Sequence, residues 1–234
     1  MKKKVQAIEV LCDFDGTIAS DDIGFRIIET FAGPGWREVE DAYQRGEKGS
    51  RVALEEIFSL TKVPEHILRS FVEEHFRLDP AFGDFIEFCR RSDIEVTVLS
   101  DGFDFYIDLM LKKFRVDVPY LANHLRVVDC SLQADFPYQS EDCGSCGNCK
   151  LNYVERVRGK GSRIIYIGDG HSDRCASDVA DVVFAKDALA EYCRKKGTAY
   201  IPFTDFNDIL STCNSGLLEK LRNNTFSVSC EEAK

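Results

Sequence analysis

The sequence predicts an α/β fold: a Rossmann-like core with a mostly parallel sheet and helices on both faces, carrying a small helical cap inserted after the first strand. Three observations predict it. Short apolar runs end in polar, turn-forming residues; helical patterns alternate with those runs; and about 75 residues behind the first run hold helical periodicity without a strand signal.

The first strand is the run Ile8-Glu9-Val10-Leu11-Cys12, which stops at Asp13-Phe14-Asp15-Gly16-Thr17. A second spans residues 94–99 and ends at Ser100-Asp101-Gly102. A third spans residues 163–167 and ends at Gly168-Asp169-Gly170, and a shorter one covers residues 182–185. Helical patterns cover residues 81–91, 105–114, 151–157 and 188–196, so strands and helices alternate as in βαβ units. Between the first two strands, Ile23, Ile27 and Phe31 recur at helical spacing, as do Val52, Ile57 and Leu60, and Ile67, Phe71 and Val72. Pro64 suits the first turn of a helix over residues 65–76, and Asp79-Pro80 opens another. Residues 21–78 are therefore read as a helical cap placed to act as a lid. Residues 1–20 and 79–213 form the α/β core, and 214–234 a C-terminal tail, polar after Leu221, that frays. Residues 120–128 and 133–138 are expected to pair as a hairpin.

The chain has 234 residues, is 44% hydrophobic and 30% charged, and carries a formal net charge of −10. That balance argues against nucleic acid or an anionic membrane as a partner, because both need basic surface. An anionic substrate must then be drawn in by a local cation or by backbone N–H groups. No apolar stretch approaches the ~20 residues of a membrane span. Met1-Lys2-Lys3-Lys4 is followed by a segment interrupted at Gln6 and Glu9, which does not match a signal peptide, so the expected location is cytoplasmic.

Two carboxylates two positions apart at a strand end repel by roughly 4 kcal/mol at ~4 Å with an effective dielectric constant of ~20. A chain that keeps such a pair binds a cation there or uses one member as an acid. The alternative is a plain Asp- and Gly-rich turn. In open α/β sheets, ligands bind at the carboxyl ends of the strands. Three strands deliver Asp13 and Asp15, then Ser100, then Asp169 and Asp173 to that edge, which weighs against the turn-only reading.

These segments, with Lys150 between the second and last, resemble the four motifs of the haloacid dehalogenase superfamily in order and spacing up to about residue 210. The resemblance implies a magnesium-dependent phosphomonoester hydrolase. Asp13 is then the nucleophile that forms an aspartyl-phosphate, and Asp15 the acid that protonates the leaving oxygen and later deprotonates water. Mg²⁺ is expected on the Asp13 carboxylate, the Asp15 backbone carbonyl, Asp169 and Asp173, with Asp173 binding through water or holding Lys150. Ser100 and Lys150 would stabilise the phosphoryl oxygens, with Asp101 and Gly102 lining the substrate site. The expected partner is a small phosphorylated metabolite, handled by a monomer or homodimer.

Within the superfamily the chain is similar to the phosphoserine-phosphatase-like branch. A gap-free count places Asp22 at that branch's cap glutamate and Ile57 at the arginine that grips the substrate carboxylate. An apolar residue cannot pair a carboxylate, which argues against phosphoserine. The 100–104, 123–125 and 168–175 segments look closer to methionine-salvage phosphatases acting on 2-hydroxy-3-keto-5-methylthiopentenyl-1-phosphate. Phosphatases for phosphocholine, phosphoethanolamine and pyridoxal phosphate are the alternative. Lys48 and Lys62 are the only cap lysines, and their polar surroundings do not suit a Schiff-base role.

Ten cysteines include six scattered ones (Cys12, Cys89, Cys175, Cys193, Cys213 and Cys230) and the group Cys130, Cys143, Cys146 and Cys149. The overlapping C-x₂-C spacings of the group suit a soft metal such as Zn²⁺, with Cys130 as a fourth thiolate. A disulfide or free thiols are the alternatives. If function tracked these thiols, the chain would be a thiol–metal or regulatory binding protein on a phosphatase scaffold.

Overall fold

A computed structural model of the chain describes residues 6–223 and Thr225; Cys230 and the end of the predicted tail lie outside the described residues. The chain divides into two compact units. One comprises the residues up to Asp13, 79–98, and those from Lys150 onward; the other comprises Phe14–Leu78 and Leu99–Cys149.

One seven-stranded sheet has the order β4-β3-β2-β1-β5-β6-β7, with β1 Ile8–Cys12, β2 Glu95–Phe103, β3 Tyr120–Val128, β4 Ser131–Asp135, β5 Arg163–Gly168, β6 Val182–Ala185 and β7 Ile201–Pro202. The pairs β1–β2, β1–β5, β5–β6 and β6–β7 are parallel, and β3–β4 is the antiparallel hairpin. Parallel strands buried on both faces are apolar almost throughout. Leu11, Ile164, Ile165, Ile167 and Phe184 accordingly are buried. In the same unit, α5 Phe82–Arg91 and α10 Phe206–Thr212 meet through Phe82, Phe85 and Phe206, with ring centroids 4.9 and 5.2 Å apart. Asp79 Oδ2 accepts the Phe206 N–H at 3.1 Å and ties the start of one helix to the other.

In the second unit the insertion folds as α1 Ile23–Phe31, α2 Trp36–Gln44, α3 Ser50–Ser59 and α4 Glu65–His75. Its base is closed by an antiparallel bridge between Ala19 and Leu78. Phe58 of α3 packs against Phe103 with tilted rings 4.5 Å apart, and Phe103 in turn contacts Phe136. The helix α6 Asp104–Phe114 follows β2 directly, and Arg69 of α4 lies over its Phe105 ring.

Several boundaries differ from the sequence reading. Strand β2 runs on through Ser100, Asp101 and Gly102 instead of ending before them. The second hairpin strand is Ser131–Asp135. The turn Asp129-Cys130 has φ of 49° and 64°, the doubly left-handed conformation of a tight hairpin that usually selects Asn-Gly. Helix α2 carries only Trp36 and Ala42 as buried residues, too weak a pattern to read. Residues expected to fray form a π turn over Cys213–Leu217 and the helix α11 Leu218–Arg222, because Leu217, Leu218 and Leu221 find buried positions. Among the described residues no helix is long and apolar enough to cross a membrane.

Candidate active site

In the first unit the site is built where β1 and β5 end. The Asp13 N–H donates to Ile167 O at 2.9 Å, so the ladder extends one residue past β1 and fixes the direction of the Asp13 side chain. Past β5, a 3₁₀ turn over His171–Asp173 folds the chain back. The fold-back needs Gly168: a Cβ there would lie 2.6 Å from Asp173 Cγ. Asp173 is fully buried and accepts from four donors. Its Oδ2 takes the N–H groups of Asp169 (3.1 Å) and Gly170 (2.9 Å); its Oδ1 takes Tyr166 Oη (2.6 Å) and Lys150 Nζ (2.7 Å).

Lys150, the first residue of α7 Lys150–Gly159, is 2% exposed. Its Nζ donates to Asp13 Oδ1 (2.6 Å), Asp173 Oδ1 (2.7 Å) and Ser172 Oγ (2.9 Å), which uses all three ammonium protons. Burial opposes the charge on Lys150, but the Asp13 and Asp173 carboxylates outweigh it and hold the ammonium protonated well above its ordinary range. Burial, then the negative charge of Asp173, push the Asp13 carboxyl up, while Lys150 pulls it back. Oxygens of Asp13, Asp169 and Asp173 all lie within 4.8 Å of one another, an all-oxygen donor set of the kind hard divalent cations prefer. Three carboxylates against one ammonium leave a charge of −2, which a divalent cation neutralises.

In the second unit Asp15 immediately precedes Gly16, whose φ of 71° sets a left-handed turn. Its Oδ1 accepts the Ile23 N–H at 2.9 Å, and its Oδ2 accepts Tyr106 Oη at 2.7 Å and Ser100 Oγ at 3.4 Å. Ser100 is buried, and its Oγ also accepts the Gly102 N–H at 2.9 Å. The Asp101 carboxylate faces the 143–149 loop: its Oδ1 accepts the Asn148 N–H at 2.7 Å. The buried Asn148 side chain donates to Ser100 O (3.0 Å) and Leu121 O (2.9 Å), pinning the loop that leads to Lys150 onto β2 and β3.

The cysteine group departs from expectation. Sγ atoms of Cys143 and Cys146 lie 3.4 Å apart, and the described cysteines form no disulfide. Burial pushes Cys143 up, yet backbone N–H groups of Ser145 and Cys146 and the neighbouring thiols leave it acidified overall. Cys146 is driven up by burial and by Cys143. Cys130 is held in the hairpin turn, where its carbonyl accepts from Val63 N–H at 2.7 Å. Among the described residues the cysteines form no cluster of three metal-ligating side chains, so the zinc expectation has no support. In the insertion, Ile57 is 1% exposed, and Asp22 caps α1 by accepting the Phe25 N–H at 2.8 Å. Lys48 is ion-paired to Glu56 at 2.6 Å.

The structure thus groups Asp13, Lys150, Asp169 and Asp173 in one unit and Asp15, Ser100, Asp101 and Gly102 in the other. Sequence reasoning missed Tyr106, Tyr166, Ser172 and Asn148. The two tyrosines occur in apolar patterns that signal only core packing, and Ser172 and Asn148 in polar turns that signal only loops.

The profile of the haloacid dehalogenase-like hydrolases matches residues 10–178. The chain is 31% identical over 221 residues to a 2-hydroxy-3-keto-5-methylthiopentenyl-1-phosphate phosphatase of Bacillus mycoides (strain KBAB4), covering 92% of this chain and 100% of the relative. To the phosphatase of the same name from Bacillus cereus (strain G9842) it is 31% identical over 208 residues, covering 87% and 94%. Among solved structures, a phosphoserine phosphatase carrying a phospho-aspartyl intermediate analogue aligns with a TM-score of 0.67 at 19% identity, covering 88% of this chain and 99% of that one. A probable phosphoserine phosphatase from Vibrio cholerae aligns with a TM-score of 0.69 at 18% identity, covering 96% and 68%.

Proposed function

The chain belongs to the haloacid dehalogenase-like hydrolase family and is a phosphatase, and we propose that it hydrolyses 2-hydroxy-3-keto-5-methylthiopentenyl-1-phosphate through Asp13. The observation that carries the substrate is the 31% identity to the Bacillus mycoides phosphatase of that compound over that relative's full length.

The chain passes between its two units at Asp13–Phe14, Leu78–Asp79, Val98–Leu99 and Cys149–Lys150, and Asp13, Asp15, Ser100 and Lys150 each lie within two residues of a crossing. The order and spacing of these residues along the chain, which match the family's motifs, support assigning them to one reaction. Asp13 attacks phosphorus as the ester bond breaks, and Asp15 gives its proton to the departing oxygen. Asp15 then takes a proton from the water that attacks the aspartyl-phosphate. Ser100 hydrogen-bonds a phosphoryl oxygen, and Lys150 holds Asp13 in line while opposing the oxygens' charge. Mg²⁺, general to the family, supplies charge neutralisation on the phosphoryl group when bound. Asp13 and Asp169 are the carboxylates assigned to hold it. Asp173, with four donors on its four lone-pair sites, acts by fixing Lys150. Asp101 acts by fixing the loop before Lys150.

Substrate profiling tests this reading. The methylthiopentenyl phosphate should give the highest kcat/KM when compared with phosphoserine, phosphocholine, phosphoethanolamine and pyridoxal phosphate. A preference for any of the others would overturn the assignment.

A further inference from the structure

Asp15 is held by a side chain that no motif contains. Tyr106, on α6, is fully buried, and its hydroxyl donates to Asp15 Oδ2 at 2.7 Å while the Ile23 N–H holds Oδ1. Two glycines keep space for that hydroxyl. A Cβ on Gly102 would lie 1.8 Å from Tyr106 Oη and 2.5 Å from Asp15 Oδ2; one on Gly24 would lie 3.3 Å from Tyr106 Oη. Neither glycine has a left-handed φ, so space and not backbone conformation accounts for them. Burial and the charges of Asp15 and Asp22 keep the phenol neutral, so it serves Asp15 as a donor.

We propose that Tyr106 is a positioning residue for the leaving-group acid: with Ile23 N–H it fixes both oxygens of Asp15, so that the carboxyl meets the ester oxygen in one orientation. The proposal rests on the assignment of Asp15 as proton carrier. Tyr106 exchanges no proton. In the first step the phosphorus–ester oxygen bond breaks, the Asp13–phosphorus bond forms, and the proton passes from Asp15 to the leaving alkoxide. A carboxyl free to turn about its last bond loses that alignment, and misplacement of about 1 Å costs on the order of 100-fold.

An alkoxide needs the proton to leave, whereas p-nitrophenolate departs without it. For Tyr106→Phe, kcat/KM should therefore fall about 10- to 100-fold for an alkyl phosphate and less than about 3-fold for p-nitrophenyl phosphate. Gly24→Ala, which crowds the hydroxyl without removing it, should show the same selectivity to a smaller extent, with a melting temperature close to wild type. Equal losses for both substrates in folded Tyr106→Phe, or no loss for the alkyl ester, would overturn the proposal. Asp15→Asn separates this from the underlying assignment. If Asp15→Asn is leaving-group-selective and Tyr106→Phe is not, the tyrosine role alone fails. If Asp15→Asn lowers kcat/KM, which reads only as far as leaving-group departure, alike for both substrates, the acid assignment fails and the positioning role falls with it.

Discussion

Lys150 shows how residue identity sets both stability and chemistry. An ammonium with 1% side-chain exposure survives because Asp13 and Asp173 sit 2.6 and 2.7 Å away and Ser172 takes the third proton. Removing one partner from such a group leaves buried charge unpaired, which costs about 3–5 kcal/mol. Lys150→Met should therefore lower unfolding free energy by that amount in urea titrations and abolish turnover together. Gly168→Ala forces a Cβ to 2.6 Å from Asp173 Cγ, and overpacking of this kind costs about 1–3 kcal/mol, readable as a lower urea midpoint. The gathering of Asp13, Asp169 and Asp173 was legible because the apolar runs of two neighbouring strands stop just before them. Tyr166 and Tyr106 were not, because an aromatic in an apolar pattern reads the same whether or not its hydroxyl serves a carboxylate.

The loop between β4 and α7 illustrates the next level, where segments hold one another. Gly147 N–H donates to Ser50 Oγ, Arg51 N–H to Ser145 O, and Asn148 bonds two strands through its side chain, so the loop is ordered by α3, β2 and β3. Asn148→Ala would leave the Ser100 and Leu121 carbonyls without that amide. Each buried orphan costs about 1–3 kcal/mol, so the variant should unfold at lower urea, and its kcat should drop because Lys150 follows two residues later. Strands β1, β5 and β6 were legible from continuous apolar runs. The last part of β2 was hidden because Ser, Asp and Gly have low strand propensity, and pairing with neighbouring strands overrides it. The hairpin's existence was legible, but its register was not: Asp129 and Cys130 adopt left-handed φ without the Asn-Gly signature. Helix α2, WREVEDAYQ, hides behind its charge.

For the molecule as a whole, a net charge of −10 works against an anionic substrate unless cations are concentrated at the site. Lys150 supplies one positive charge, and the Asp13 and Asp169 carboxylates, beside Asp173, are suited to hold two more as a divalent ion. Chelation with EDTA should therefore stop hydrolysis of p-nitrophenyl phosphate, and Mg²⁺ in excess should restore it; activity unaffected by chelation would contradict that role for the cluster. The α/β class and the helical insertion were readable from periodicity alone. The grouping of residues 99–149 with the insertion was not, since it depends on long-range packing such as Phe58 on Phe103.

The central claim is that Asp13 becomes phosphorylated. Acid-quenching the enzyme during turnover of a ³²P-labelled substrate, followed by proteolysis and peptide mapping, tests it directly. Label should appear on the peptide bearing Asp13 and vanish in folded Asp13→Asn along with turnover. Label elsewhere, or an Asp13→Asn variant that still turns over, would contradict the account.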